Sequence, residues 1–399
     1  MTIPSHPERR ESWGAVLAMS LAAFALVASE FMPVSLLTPI AVDLQITEGQ
    51  AGQGISISGV FALITSLLIA SVAARIDRKK LLLSLIIVMA ISGTVVAIAH
   101  DYRMFMAGRA LIGVAIGGFW SLSAATAMRL VPSERVPRAL AIVNGGNALA
   151  TVIAAPLGSF LGAIIGWRGA FFCVVPVAGL AAVWLLVSLP SFKAERRDRS
   201  SNVFALMTRM PVAMGMIAVS LFFMGQFTLF TYLRPFLETV THASTNRLSL
   251  MLLALGVSGF VGTLFIEVFL KKALFRTLIV IPLLMAVIAG ALVIFGSSPL
   301  ITTVLLGGWG LVATAAPVGW WTWLAKTLPD DAEAGGGLMV AIIQLAITLG
   351  ATAGGVAFDL QGYRAPFELS AALLVVAGVL AFMAGRSGLQ APLRNAYPR

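Results

Sequence analysis

The chain has 399 residues, 59% of them hydrophobic and 11% charged, with a mean hydropathy of +0.96. A typical soluble domain carries roughly 25% charged residues, so this chain cannot coat a water-facing surface of its size, and its unit of architecture is the membrane span of about 20 apolar residues. The net charge of +10 would suggest nucleic acid in a soluble protein, but here basic loops that orient the spans account for it, and no nucleic-acid partner is expected.

Met1 to Ser12 is a short polar tail. The apolar run after it is about twice the length of a signal-peptide core and shows no clear cleavage site, so it reads as a retained first span. Charge clusters, Pro and Gly divide the chain into twelve spans, at 13–40, 50–74, 81–99, 103–128, 136–165, 168–189, 211–238, 247–270, 274–296, 299–325, 334–361 and 365–385. An all-α protein with 12 transmembrane helices is therefore expected. The one cysteine, Cys173, lies inside an apolar span, so no intramolecular disulfide can form.

Lys and Arg set the orientation. With the N-terminus cytoplasmic, inside segments hold 21 of the 27 basic residues, including Arg75, Arg78, Lys79 and Lys80, Lys193 to Arg209, and Lys271, Lys272 and Arg276. Outside segments hold five, Arg103, Arg168, Arg234, Arg247 and Arg364. This is a strong positive-inside bias, and an even span count returns the C-terminus to the cytoplasm.

The longest hydrophilic stretch, Pro190 to Met210, reads as a cytoplasmic linker between a six-helix half at 1–189 and another at 211–399. The halves echo each other at an offset near 197. Arg129-Leu-Val-Pro-Ser-Glu134 matches Lys326-Thr-Leu-Pro-Asp-Asp331, and Gly166-Trp-Arg-Gly-Ala-Phe171 matches Gly362-Tyr-Arg-Ala-Pro-Phe367. The basic loops 75–80 and 271–276 also correspond. Pseudo-symmetric halves of this kind rock about a midplane site in secondary transporters.

These residues resemble the major facilitator superfamily along essentially the whole chain. Glu30-Phe-Met-Pro-Val-Ser-Leu-Leu-Thr-Pro-Ile-Ala-Val-Asp-Leu44 is similar to its drug:H+ antiporter-1 and sugar efflux branch. Arg109-Ala-Leu-Ile-Gly113 resembles the buried-arginine motif of the fourth span. Ala73-Ala-Arg-Ile-Asp-Arg-Lys-Lys80 resembles the cytoplasmic gating motif, keeping Asp77 and Arg78 with Ala73 at the leading position. Gly117-Gly-Phe-Trp-Ser121, Met128-Arg-Leu-Val-Pro132, Ala154-Ala-Pro-Leu-Gly-Ser-Phe-Leu-Gly162 and Pro317-Val-Gly-Trp-Trp-Thr-Trp323 look like the bacterial purine ribonucleoside efflux pumps. The resemblance implies a multi-pass protein of the bacterial inner membrane that exports inosine and guanosine in exchange for protons. A two-half fold supplies its own path and can work as a monomer.

Two ionisable residues lie well inside spans, where each costs roughly 2.5–3.5 kcal/mol on insertion scales. Glu30 is about ten residues, or roughly 15 Å, from the outer end of span one, and Arg109 about six residues, or roughly 9 Å, from that of span four. Their similar depth suggests that Glu30 binds the coupling proton and Arg109 tunes it. The alternative is a permanent ion pair tying spans one and four together. Glu267, four residues before Lys271, has the spacing of a helical ion pair, and Asp359 reads as a helix-end residue.

A nucleoside needs aromatic faces and amide or hydroxyl groups. On the cavity helices that the resemblance implies, candidates are Phe119 and Trp120, Asn144 and Asn147, Gln226 and Phe230, Trp320, and Gln344. The three tryptophans at 320, 321 and 323 cannot all face one way at 3.6 residues per turn. Glu30 with these groups would also serve an exporter of sugars or amphiphilic drugs. The chain carries no phosphate-cradling loop and no metal-ligand spacing, so neither a cofactor nor enzyme chemistry is expected.

Overall fold

The computed structural model describes residues 12–73, 75–132, 135–192, 203–328 and 332–394. The expectations placed on Arg9, Arg10, Lys193, Arg196, Arg197, Arg199, Glu134, Asp331 and Arg399 lie outside them. Among the described residues every long element is helical and none is a strand. In chain order the helices are α1 (Trp13–Leu44), α2 (Glu48–Ala73), α3 (Arg78–Ala97), α4 (Tyr102–Arg129), α5 (Val136–Phe172) and α6 (Val174–Ser188). After a short 3-10 turn, Val203–Thr208, come α7 (Met210–Phe230), α8 (Leu233–Thr239), α9 (Thr245–Phe295), α10 (Pro299–Ala313), α11 (Ala316–Thr327), α12 (Ala332–Gln361) and α13 (Arg364–Arg394).

Ten helical stretches among the described residues are long and apolar enough to cross a membrane. Two of them, Arg138–Ser188 and Thr245–Phe295, run for 51 residues each. At 1.5 Å per residue that is about 76 Å, more than twice the hydrocarbon thickness. Both are broken inside. Gly166 (φ 74°, ψ 164°) interrupts α5, and Ala273 (φ −158°, ψ 67°) interrupts α9. These breaks fall in the gaps expected at 165–168 and 270–274. Conversely, the single stretch expected at 211–238 arrives as α7 and α8, and that at 299–325 as α10 and α11. Pro235 and Pro317 lie in the first turns of α8 and α11, where a missing N–H costs no helical bond.

The repeated Gly-aromatic-Arg motifs share one local shape. Gly166 and Gly362 both have positive φ, 74° and 77°. Arg168 lies over the Trp167 ring at 4.3 Å and Arg364 over the Tyr363 ring at 5.9 Å. Each aromatic then meets a phenylalanine of an earlier helix, Trp167 against Phe105 and Tyr363 against Phe236.

Buried apolar side chains gather into two large clusters. One is drawn from residues 15–189 with Tyr232 added. The other is drawn mainly from residues 206–381 with Val34, Ile55 and Ala155 added. Those four exceptions mark where α1, α2 and α5 meet the later helices. Lipid gives no hydrophobic drive between helices, so close approach by small residues does the packing. On α4, a side chain at Gly117 would collide with the Ala62 carbonyl of α2.

Gly166 sits in a backbone region that is nearly glycine-only. Gly166→Ala is expected to destabilise by about 1–3 kcal/mol, read as a lowered thermal midpoint of the purified protein. Gly179 is helical with open space around it, so Gly179→Ala should leave that midpoint unchanged or raise it slightly.

Candidate functional site

Helix α1 carries two internal prolines, Pro33 and Pro39. Each lacks an N–H, so the carbonyl four residues earlier loses its helical donor. Those carbonyls belong to Ser29 and Ser35, and a buried arginine reaches each. Arg109 of α4 donates from one terminal nitrogen to the Ser29 carbonyl at 2.7 Å. Arg234 of α8 donates to the Ser35 carbonyl.

Arg109 is fully buried. Its other terminal nitrogen donates to the Glu30 backbone carbonyl at 2.9 Å and lies 3.5 Å from the Ser58 hydroxyl. Its Nε donates to the Gly54 carbonyl at 3.0 Å. The guanidinium thus clamps α1, α2 and α4 through main-chain oxygens. The Glu30 carboxylate forms no ion pair among the described residues. Spans one and four are joined, but by a carbonyl cradle rather than by the acid. Glu30 is 5% exposed, close enough to feel the Arg109 charge, with the amide of Gln344 of α12 as its neighbour.

Next to Glu30, Phe31 joins two rings of α7. It stacks on Phe227 with centroids 5.6 Å apart and meets Phe230 edge-on at 6.4 Å. Phe227 and Phe230 are themselves 6.0 Å apart. Trp120 of α4 packs, with Phe24 and Phe31, on the small cluster of Val27, Ala28, Ala150 and Ala154. Two amide oxygens are buried with no hydrogen-bond partner among the described residues, Gln226 Oε1 on α7 and Gln344 Oε1 on α12.

The structure therefore gathers Glu30, Arg109, Gln344, Trp120 and Phe230 around the middle of α1, with Gln226 beside Phe227 on α7 and a half-buried Asn147 on α5. It sets other candidates apart. Phe119 is buried in the cluster of the first six helices. Trp320 is buried against Phe222 and Trp323, while Trp321 is 41% exposed. Asn144 is exposed and its amide donates to Leu140 of its own helix. Glu267 forms the exposed i,i+4 pair with Lys271 at 2.6 Å. Phe31, Phe227 and the cradle carbonyls had no sequence signal beyond the prolines of α1.

In the loop before α3, Asp77 caps the helix, accepting from the Lys79 N–H at 2.7 Å and from the Ser191 hydroxyl. Partial burial pushes this carboxyl up. The Ser191 hydroxyl, the Lys79 and Lys80 N–H groups and the Lys80 charge outweigh burial and hold it below its ordinary value. Arg78 is the first residue of α3. Among the described residues, no cluster of His, Cys, Asp and Glu is placed to hold a metal ion.

The sequence profile of the Major Facilitator Superfamily matches residues 19–336. The chain belongs to this superfamily. It is 59% identical over 390 residues to a Pseudomonas aeruginosa protein named transcription regulatory protein OpdE, covering 97% of each chain. It is 41% identical over 371 residues to the purine ribonucleoside efflux pump NepI of Salmonella paratyphi B, covering 93% of this chain and 94% of the relative. Among solved structures, a bacterial homologue of the human lysosomal transporter Spinster, in an inward-facing and unoccupied conformation, superposes with a TM-score of 0.80. That match covers 96% of this chain and 99% of the other at 15% identity. The nucleoside transporter NupG, as a variant, superposes with a TM-score of 0.77 at 14% identity, covering 93% and 98%. At such identities these two matches speak for the superfamily fold alone.

Arg109→Ala would strip three buried carbonyls of a donor, each costing about 1–3 kcal/mol. A large drop in the thermal midpoint of the purified protein is expected. Glu30→Gln breaks no ion pair and should shift stability by less than about 1 kcal/mol. Equal losses for both variants would show that the acid, not the cradle, holds the helices.

Proposed function

We propose that this chain is a proton-coupled antiporter that exports purine ribonucleosides across a bacterial inner membrane. In this reading it makes twelve crossings as two six-helix halves, 1–189 and 211–399, joined by a linker at 190–210, with both termini cytoplasmic. The loops at 166 and 273 divide the two overlong helices, and the basic residues of the 75–80 and 271–276 loops face the cytoplasm.

The observation that carries the reading is a buried Glu30 carboxyl that is not spent on an ion pair, beside a cation already satisfied by carbonyls. Such a carboxyl can take or release a proton without dismantling the helix contacts. The half-buried Phe31 and Phe230 rings, backed by Phe227, offer apolar surface on which a purine base stacks, a preference of π-systems for offset or edge geometry. The oxygens of Gln226 and Gln344 accept from base N–H or ribose O–H groups, and binding relieves the cost of leaving them unpaired. The likeness to NepI agrees with a hydrogen-bonding planar substrate. Nucleoside and proton then compete for one site, which is the requirement of antiport, and the halves rock to expose it alternately. Asp77 and Arg78 serve the cytoplasmic gate. The path lies within one chain, so a monomer suffices, with substrate, protons and lipid as its partners.

The regulatory name of the Pseudomonas relative fits the same activity acting indirectly. A pump that sets the cytoplasmic level of a small molecule changes the signal that regulators read.

In everted vesicles with an acidified lumen, inosine or guanosine should partly collapse the pH gradient followed by a dye. Glu30→Gln vesicles should show no response. A response to sugars or cationic drugs but not to nucleosides would overturn the substrate. Silence to every class in well-energised vesicles would overturn proton coupling.

A further inference from the structure

The two arginines that answer the prolines of α1 differ in one respect. Among the described residues every acceptor of Arg109 lies on α1 or α2, within the first six helices. Arg234 comes from α8 and reaches across to α1. It also holds a partner on its own helix, Glu238, at 2.8 Å. If α1 moved away, Arg234 would keep its countercharge and the Ser35 carbonyl would turn to the opened pathway. Arg109 is built to stay and Arg234 to let go.

A second contact of this kind lies at the same end of the molecule. Thr47 begins α2 with a reciprocal cap. Its hydroxyl accepts from the Gln50 N–H, and the Gln50 side chain accepts from the Thr47 N–H, both at 3.0 Å. The Thr47 hydroxyl then donates to one oxygen of Asp359 at 2.6 Å, while the Gly49 N–H donates to the other at 3.1 Å. Asp359 stands in the last turn of α12, where its charge opposes that helix's own dipole. The same charge is favourable at the N-terminus of α2. The carboxylate thus caps a helix to which it does not belong. A side chain at Gly49 would fill the space that Asp359 occupies.

The same seam carries further hydrogen bonds beside the apolar contacts of Val34 and Ile55. Ser56 and Thr348 exchange hydroxyl-to-carbonyl bonds at 3.2 and 3.3 Å, and the Thr352 hydroxyl donates to the Ser56 hydroxyl at 2.9 Å. Hydrogen bonds joining the first six helices to the later ones gather in this band, residues 35–56 on one side. Asp359 and Thr47 are exposed at its rim, so opening trades these bonds for water rather than for lipid, which keeps release inexpensive.

We propose that Asp359, capping α2 in trans, and Arg234, clasping the Ser35 carbonyl, form the releasable latch that holds the α1–α2 end of the transporter shut. The positive-inside orientation makes this the outer end, and the proposal rests on that orientation but not on the identity of the substrate. Both are positioning residues. They touch no substrate and set the balance between the closed and open outer face.

The test uses the full-length protein with Cys173→Ser and a reporter at Ile55→Cys. Ile55 of α2 is buried among side chains of the later helices, so it reacts only when the seam parts. In intact cells, a membrane-impermeant maleimide should label Asp359→Ala and Thr47→Val proteins roughly three- to tenfold faster than the parent. Arg234→Gln should do so at least as strongly. Thr47→Val keeps the carboxylate and serves as the control should the others fold poorly, judged by gel filtration. Unchanged or slower labelling in well-folded variants would overturn the latch. Faster labelling confined to the cytoplasmic face of inverted vesicles would overturn its place at the outer end. Neither outcome involves a nucleoside, so failure here is distinct from failure of the proposed substrate.

Discussion

Two missing N–H groups organise this molecule. Pro33 and Pro39 leave the Ser29 and Ser35 carbonyls of α1 without helical partners, and hydrocarbon offers no water to replace them. A carbonyl in that position needs a donor from another helix, and a guanidinium supplies several from one residue in a planar fork. Arg109 and Arg234 are therefore buried for a structural reason. The cost of burying each charge is offset by several main-chain oxygens or by one oxygen and a carboxylate.

The consequence for function lies in what Arg109 does not bind. A cation paired with Glu30 would lock both charges, and protonation would then cost the contact between α1 and α4. With the cation held by carbonyls, the carboxyl feels the Arg109 charge without being bound by it, and it has the Gln344 amide as a neighbour. The fixed charge sets the field, and the free acid responds to it. In the proposed antiport, that division of labour would let Glu30 take a proton while the Arg109 contacts between α1, α2 and α4 stay in place.

Much of the fold was legible because the bilayer leaves so few options. Helices are the one open-ended way to satisfy backbone in lipid, so apolar runs divided at charge clusters, Pro and Gly located them, and Gly166 announced a break that its positive φ then made. The i,i+4 spacing of Glu267 and Lys271 gave their pair directly. The depths of Glu30 and Arg109 gave their proximity, since straight helices of known rise convert sequence distance into height. Height does not encode which atoms meet: Arg109 reaches the main-chain carbonyl of Glu30 and not its carboxylate. Phe31 and Phe227 were hidden for the same reason. Arg234 groups with the outside basic residues because it lies close to the outer end of the single run expected at 211–238, which hides the separate α8 that carries it. Asp359 looked like an ordinary helix end because its partner lies 312 residues away in sequence. The i−4 offset from proline to carbonyl was the signal that could have found both arginine sites.

The central claim is that substrate and proton compete through Glu30, and competition in binding is reciprocal. The most direct measurement follows proton release when inosine is added to the purified protein in weakly buffered detergent solution, over the pH range in which the empty protein binds a proton. The account predicts release in proportion to bound inosine, abolished in Glu30→Gln protein that still binds inosine. Inosine binding with no proton movement, or equal release from the Glu30→Gln protein, would contradict it.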